Sequence, residues 1–245
     1  MDEKFFHFSV DDVFHSLIDT PIETDIFSNS MFGFLKKLND KFDINVDLYC
    51  FYESLVGNYT KRLSDVSEKY KDTLKNNSWI RFGVHGLNTD TPPHSQNAEE
   101  QIETFEKIYS EFMRICGDNY SSWTRLHCFS ESFELSDYFL SKGVDKLLTT
   151  DKKTLLWRLP ENLKSTIGKF GRCEYNGIEF IRTDIRTENL VGYPEAEIIQ
   201  LLDSLIENKK FITLMTHEYE LVKNEVRDVT EFVIQYLVKN NINSK

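Results

Sequence analysis

Two adjacent carboxylates, Asp11 and Asp12, stand where the apolar run Phe5–Val10 ends. Like charges in contact repel, and burial raises the cost. The pair therefore needs a metal, an arginine or open solvent beside it. Further along, His85 closes the run IRFGV and His217 closes FITLMT; Arg125 and His127 lie in TRLHCF, and Asp184 follows EFIRT. These are the side chains of hydrolytic chemistry. Imidazole and carboxylate hold a divalent ion, either can move a proton, and a guanidinium fixes a carboxylate. Each also has a plainer reading. Asp11-Asp12 fits a solvated turn with a helix cap, and His85 and His217 fit satisfied histidines at loop entrances. Asp184 fits a solvated carboxylate between Arg182 and Arg186, and Arg125 fits an outward strand residue. Their joint recurrence at strand ends favours a shared site. His7 and His15 read as structural or solvated.

The elements that must position these residues follow from periodicity. Strands are predicted at Phe5–Val10, Ile44–Tyr52, Trp79–Val84, Thr124–Phe129, Lys146–Thr150 and Phe211–Thr216. Helical stripes are predicted from about Ser28 to Phe42, Tyr59 to Leu74, Ser132 to Lys142, Pro194 to Asn208 and Leu221 to Asn240. Asn97 with Glu100 forms a capping box ahead of the stripe Ile102, Phe105, Tyr109, Phe112 and Cys116. Asn176-Gly177 marks a tight hairpin whose second arm, Ile178–Thr183, runs into Asp184. Alternating strands and helices argue for a parallel α/β fold. Reactive residues after strands spread along the whole chain favour a closed or nearly closed barrel over an open sheet.

Composition narrows the partners. A net charge of −11, from 29 basic and 40 acidic residues, repels phosphate backbones and anionic membranes. No stretch has the length of a membrane span, and MDEKFFHFSVDD lacks the basic start and apolar middle of a signal peptide. A cytoplasmic location is the expectation. Cys50, Cys116, Cys128 and Cys173 form no C-x-x-C pair, so reduced thiols are expected. One domain over residues 1–245 is expected.

The order of motifs resembles the polysaccharide deacetylases, the NodB-homology carbohydrate esterases of the glycoside hydrolase/deacetylase barrel superfamily. Ser9-Val10-Asp11-Asp12 matches the first motif, a strand ending T-F-D-D. His85 matches the first histidine of H-[S/T]-x-x-H, although Thr89 stands at the second. Arg125 in RLHCFSES corresponds to the arginine of R-x-P-Y, without its proline. Leu214-Met215-Thr216-His217 matches a strand ending L-x-H with one extra residue. The resemblance implies a distorted (β/α) barrel of about seven parallel strands with outer helices and one inserted β-hairpin. It also implies a divalent metal, most often zinc. By the same resemblance, Asp11 is the general base, Arg125 orients it, His217 is the general acid and Asp184 tunes His217. Asp12 and His85 are metal ligands; the third is His94, in DTPPHSQ, or His127. Trp123, Trp157 and Tyr193 offer faces for a sugar, with core packing the plainer reading, and His127 is the other substrate contact to weigh. The expected activity is metal-dependent removal of an acyl group from an N- or O-acylated sugar or small amide. The runner-up is a non-catalytic barrel that binds a carbohydrate or a protein. No nucleic-acid or membrane partner is expected.

Overall fold

A computed structural model of the chain describes residues 3–21, 24–152 and 158–245. Eight strands build the wall: β1 (Phe5–Val13), β2 (Val46–Phe51), β3 (Ile80–Gly86), β4 (Trp123–Thr124), β5 (Lys146–Thr149), β6 (Ile178–Arg182), β7 (Ile185–Arg186) and β8 (Phe211–His217). β7, β8, β1, β2 and β3 form one parallel sheet in that order, and β4, β5 and β6 form a second. A parallel bridge from Phe82 to Tyr120 links the two between β3 and β4. β6 continues into β7 through Thr183 and Asp184, which makes the wall a distorted barrel flanked by helices.

Alternation along β1 explains the layering. Phe6, Phe8 and Val10 face outward and join the core with Phe32, Leu35 and Leu38 of the helix Ser30–Phe42 and with Val233 and Leu237 of the helix Asn224–Lys239. His7, Ser9 and Asp11, the intervening residues, are buried inside the barrel. Their direct partners across β8 are Thr213, Met215 and His217. Three levels therefore stack along the axis, and Asp11 and His217 share the uppermost. Tyr49 fits the interior because Gly83 faces it; a Cβ there would stand 2.8 Å from the Tyr49 ring.

Several boundaries depart from the sequence expectation. Residues Tyr59–Arg62 are not the first turns of a helix: they pair antiparallel with Glu53–Val56, turning at Gly57, whose φ is +62°. The turn residues Gly57-Asn58 override the helical spacing of Leu63, Val66 and Tyr70. The expected strand Thr124–Phe129 pairs only at Trp123–Thr124, and positive φ at Cys128 and Phe129 then turns the chain. The hairpin at Asn176-Gly177 forms as read, with φ of 48° and 78° at the two turn residues. No helix among the described residues is long and apolar enough to cross a membrane.

Candidate metal centre and proton-transfer residues

Strict alternation would send Asp11 and Asp12 to opposite faces of β1. A bulge prevents this: the register with β2 shifts between Val10 and Val13, and Asp12 takes φ 59°. Aspartate tolerates that left-handed conformation better than most residues. The two carboxylates consequently reach the same end of the barrel.

Each carboxylate has its own partner there. Asp11 accepts a hydrogen bond of 2.8 Å from Arg125 Nη1. Arg125 is fully buried; its Nη1 also meets Ser9 Oγ at 2.8 Å, its Nη2 meets Thr183 Oγ1 at 3.0 Å, and its guanidinium lies 5.7 Å from the Tyr49 ring centre. Asp12 Oδ1 lies 2.9 Å from His85 Nε2 and 3.3 Å from His127 Nδ1. Burial would raise the Asp12 carboxyl, but the hydrogen bonds of His127 and His85 outweigh it and hold the group well below the usual carboxylate range.

Asp12, His85 and His127 each offer one ligand atom, all within 4.8 Å of one another. The chemistry of this donor set fits a cation. His85 Nδ1–H donates to the Arg125 carbonyl at 2.6 Å, so in the neutral ring Nε2 carries a lone pair aimed at an anionic oxygen. Two acceptors 2.9 Å apart need a proton or a metal ion between them. A ligating histidine typically donates its other N–H in this way. The Phe51 ring packs edge-on against both imidazoles, 4.9 Å from each, and supplies the apolar flank.

The residue grouped with Asp12 and His85 is His127 rather than His94. The Pro92-Pro93 segment forms a one-turn helix at Pro93–Ser95, and His94 Nδ1 meets Ser130 Oγ at 3.0 Å instead of joining the three. The turn at Cys128 and Phe129 leaves His127 facing Asp12.

Opposite Asp11, His217 donates from Nδ1 to Glu188 Oε1 at 2.6 Å. Burial lowers the His217 pKa, but the Glu188 hydrogen bond and the charges of Asp11, Glu188 and Asp12 outweigh it and raise it above the ordinary value. Asp184, the acid assigned to this task from sequence, lies elsewhere. Its carboxylate pairs with Lys209 Nζ and accepts from the Thr213 N–H. Thr213 is four residues below His217 on β8, roughly 13 Å along the strand. Asp184 precedes β7, whereas Glu188 follows it, at the end that carries the site.

Other residues expected near substrate are placed differently. Trp157 lies outside the described residues. Tyr193 is exposed and borders a surface groove with Leu190 and Glu197. Trp123 is buried at the other end of the barrel, stacked on His7 at 4.7 Å. An exposed aromatic ring does border the site: Tyr219, 5.1 Å from the His217 ring. Glu218, buried, accepts from the N–H groups of Phe14, His15 and Ser16 at 3.0, 2.9 and 2.7 Å, and its own N–H donates to the Asp11 carbonyl. It ties the loop after Asp12 to the end of β8.

Glu131 is fully buried, close enough to Asp11 and Arg125 to feel both charges. Burial pushes its pKa up to about 8, against the opposing main-chain N–H groups of Glu131 and Leu126 and the Arg125 charge, with Asp11 adding to the rise. A carboxyl raised in the folded state binds its proton more tightly there than in the unfolded chain. Stability is therefore highest below the unfolded value, near 4.5, and falls as pH rises towards 8. Glu131→Gln removes this loss. The variant is expected to exceed the wild type in stability by a few kcal/mol at pH 8 and to match it near pH 5. Urea melts at the two pH values check this; equal differences at both would contradict it.

No family model and no curated protein matches the sequence. The fold does have solved counterparts. The chain is similar to 4-alpha-glucanotransferase from Thermococcus litoralis, with TM-score 0.60 and 14% identity, over 99% of this chain but only 39% of that one. A protein of Mycobacterium smegmatis assigned to the polysaccharide deacetylases aligns over 99% of this chain and 87% of its own, with TM-score 0.55 and 11% identity. Peptidoglycan deacetylase PdaC from Bacillus subtilis, as a point mutant, aligns over the same shares with TM-score 0.50 and 10% identity. The likeness is one of fold: the chain has the distorted barrel found in polysaccharide deacetylases.

Proposed function

We propose that this chain is a metal-dependent hydrolase that removes an acyl group from an N- or O-acylated sugar or related small amide. One observation carries the reading. Asp12, His85 and His127 converge at the end of the barrel where Asp11, held by Arg125, faces His217, held by Glu188. Two imidazoles and a carboxylate suit zinc, with a coordination position left for substrate or water. When bound, such an ion supplies Lewis acidity towards an acyl carbonyl and acidifies water.

The chain's own residues do the rest. Arg125 orients the Asp11 carboxylate to accept a proton from the attacking water. His217, whose proton affinity Glu188 and the nearby aspartates raise against burial, gives its Nε2 proton to the departing amine or alcohol. Glu188 also fixes the ring through Nδ1, so that Nε2 is the nitrogen that faces the substrate. Tyr219 offers a ring face beside His217 for a sugar.

The pH dependence follows from His217. A raised imidazole pKa keeps the acid charged to higher pH, so activity falls on the alkaline side as the ring loses its proton. Glu188→Gln is expected to shift that alkaline limb to lower pH and to lower kcat more than it changes KM. Initial rates across pH on the zinc-loaded protein check this, and an unmoved limb would contradict the role.

The function itself is tested by acetate release from N-acetylglucosamine and from aryl acetamides, with zinc and with EDTA. Hydrolysis that needs zinc and falls by about 1000-fold or more in Asp11→Asn is the expected result. Hydrolysis that persists in EDTA, or that survives Asp11→Asn, would overturn the proposal.

A further inference from the structure

The other end of the barrel carries a second concave site. Phe5, Trp123, Lys146 and Phe211, the first residues of β1, β4, β5 and β8, border a cavity of about 370 Å³. It opens where β6 has no ladder to β8. Its volume suits a small molecule.

The lining is cationic in a chain of net charge −11. Lys146, Arg172, Lys209 and Lys210 border it, and Glu179 is the carboxylate among its lining residues. Lys146 pairs with Asp145, Arg172 with Glu179 and Lys209 with Asp184, which orients three of these cations and offsets part of their charge. Lys245 adds a further ammonium, with its main-chain oxygen bound by Arg81. Clustered, positioned cations in a concave wall attract a multiply charged anion.

The rest of the wall is aromatic. Phe211 stacks on Trp123 at 4.8 Å, and Phe170 leaves 65% of its surface exposed at the rim. Apart from the ionic groups, the lining offers one amide side chain, Asn208. That is little for reading the hydroxyls of a sugar, and much for stacking a flat ring.

We propose that this cavity binds a nucleoside phosphate, with its base against Phe170 and Phe211 and its phosphates on Arg172, Lys209 and Lys210. The site is separate from the Asp12 centre, and its test runs with metal chelated. Isothermal titration of the full chain with ATP in EDTA is expected to give saturable binding of one equivalent. Arg172→Ala/Lys210→Ala should weaken it at least about tenfold. Phe170→Ala, at an exposed position that leaves the core untouched, should weaken it several-fold. Adenosine and inorganic triphosphate should each bind at least about tenfold more weakly than ATP. No saturable ATP binding at millimolar concentration, full affinity in the double variant, or triphosphate binding as well as ATP would each overturn the proposal.

Discussion

Arg125→Met is expected to cost about 3–5 kcal/mol of folding stability. The cause is the partner left behind. Asp11 is 2% exposed, and Arg125 Nη1 is the cation against its carboxylate. Removing the guanidinium leaves a buried charge with no counterion, and it also strips a donor from Ser9 and from Thr183. Asp11→Asn in the same background should recover part of the loss, because the uncompensated charge goes with it. Urea melts of the two single variants and the double variant supply the cycle. A loss below about 1 kcal/mol in Arg125→Met, or no recovery in the double variant, would show that the pair is not what holds Asp11. Activity should fall in both single variants, since each disturbs the proposed base.

His127→Ala is expected to weaken zinc binding by at least about 100-fold, more than the loss typical of outer partners. His94→Ala should stay within a few-fold of the wild type. The geometry separates the two residues: His127 Nδ1 is 3.3 Å from Asp12 Oδ1, while the His94 ring is engaged with Ser130. Competition titrations against a chelator of known affinity measure both. A large effect at His94 with none at His127 would return the third ligand to the Pro92-Pro93 loop.

Much of this site is legible in sequence, for a physical reason. The carboxyl ends of parallel strands share one face, so residues that follow apolar runs converge without any knowledge of the loops. Asp11, Asp12, His85 and His217 follow that rule and meet. The rule misplaces Asp184 because β7 is two residues long and leaves almost no apolar signature. Had that strand been visible, the acid after it, Glu188, would have followed from the same logic. His127 was readable only as one of two candidates. Its direction depends on positive φ at Cys128 and Phe129, and neither residue type announces that conformation. The hairpin Glu53–Arg62 is hard to see in sequence because a helical stripe of Leu63, Val66 and Tyr70 follows it directly, although Gly57-Asn58 marks its turn. Glu218 and Glu131 left no sequence signal, since the first acts across more than 200 positions and the second matters through burial alone.

Anomalous diffraction at the zinc edge, from crystals grown with one equivalent of zinc, tests the centre of the account most directly. The expected result is a single strong peak bound by Asp12 Oδ1, His85 Nε2 and His127 Nδ1, with bond lengths of about 2.0–2.2 Å. A peak held by other residues, or none at this end of the barrel, would contradict it.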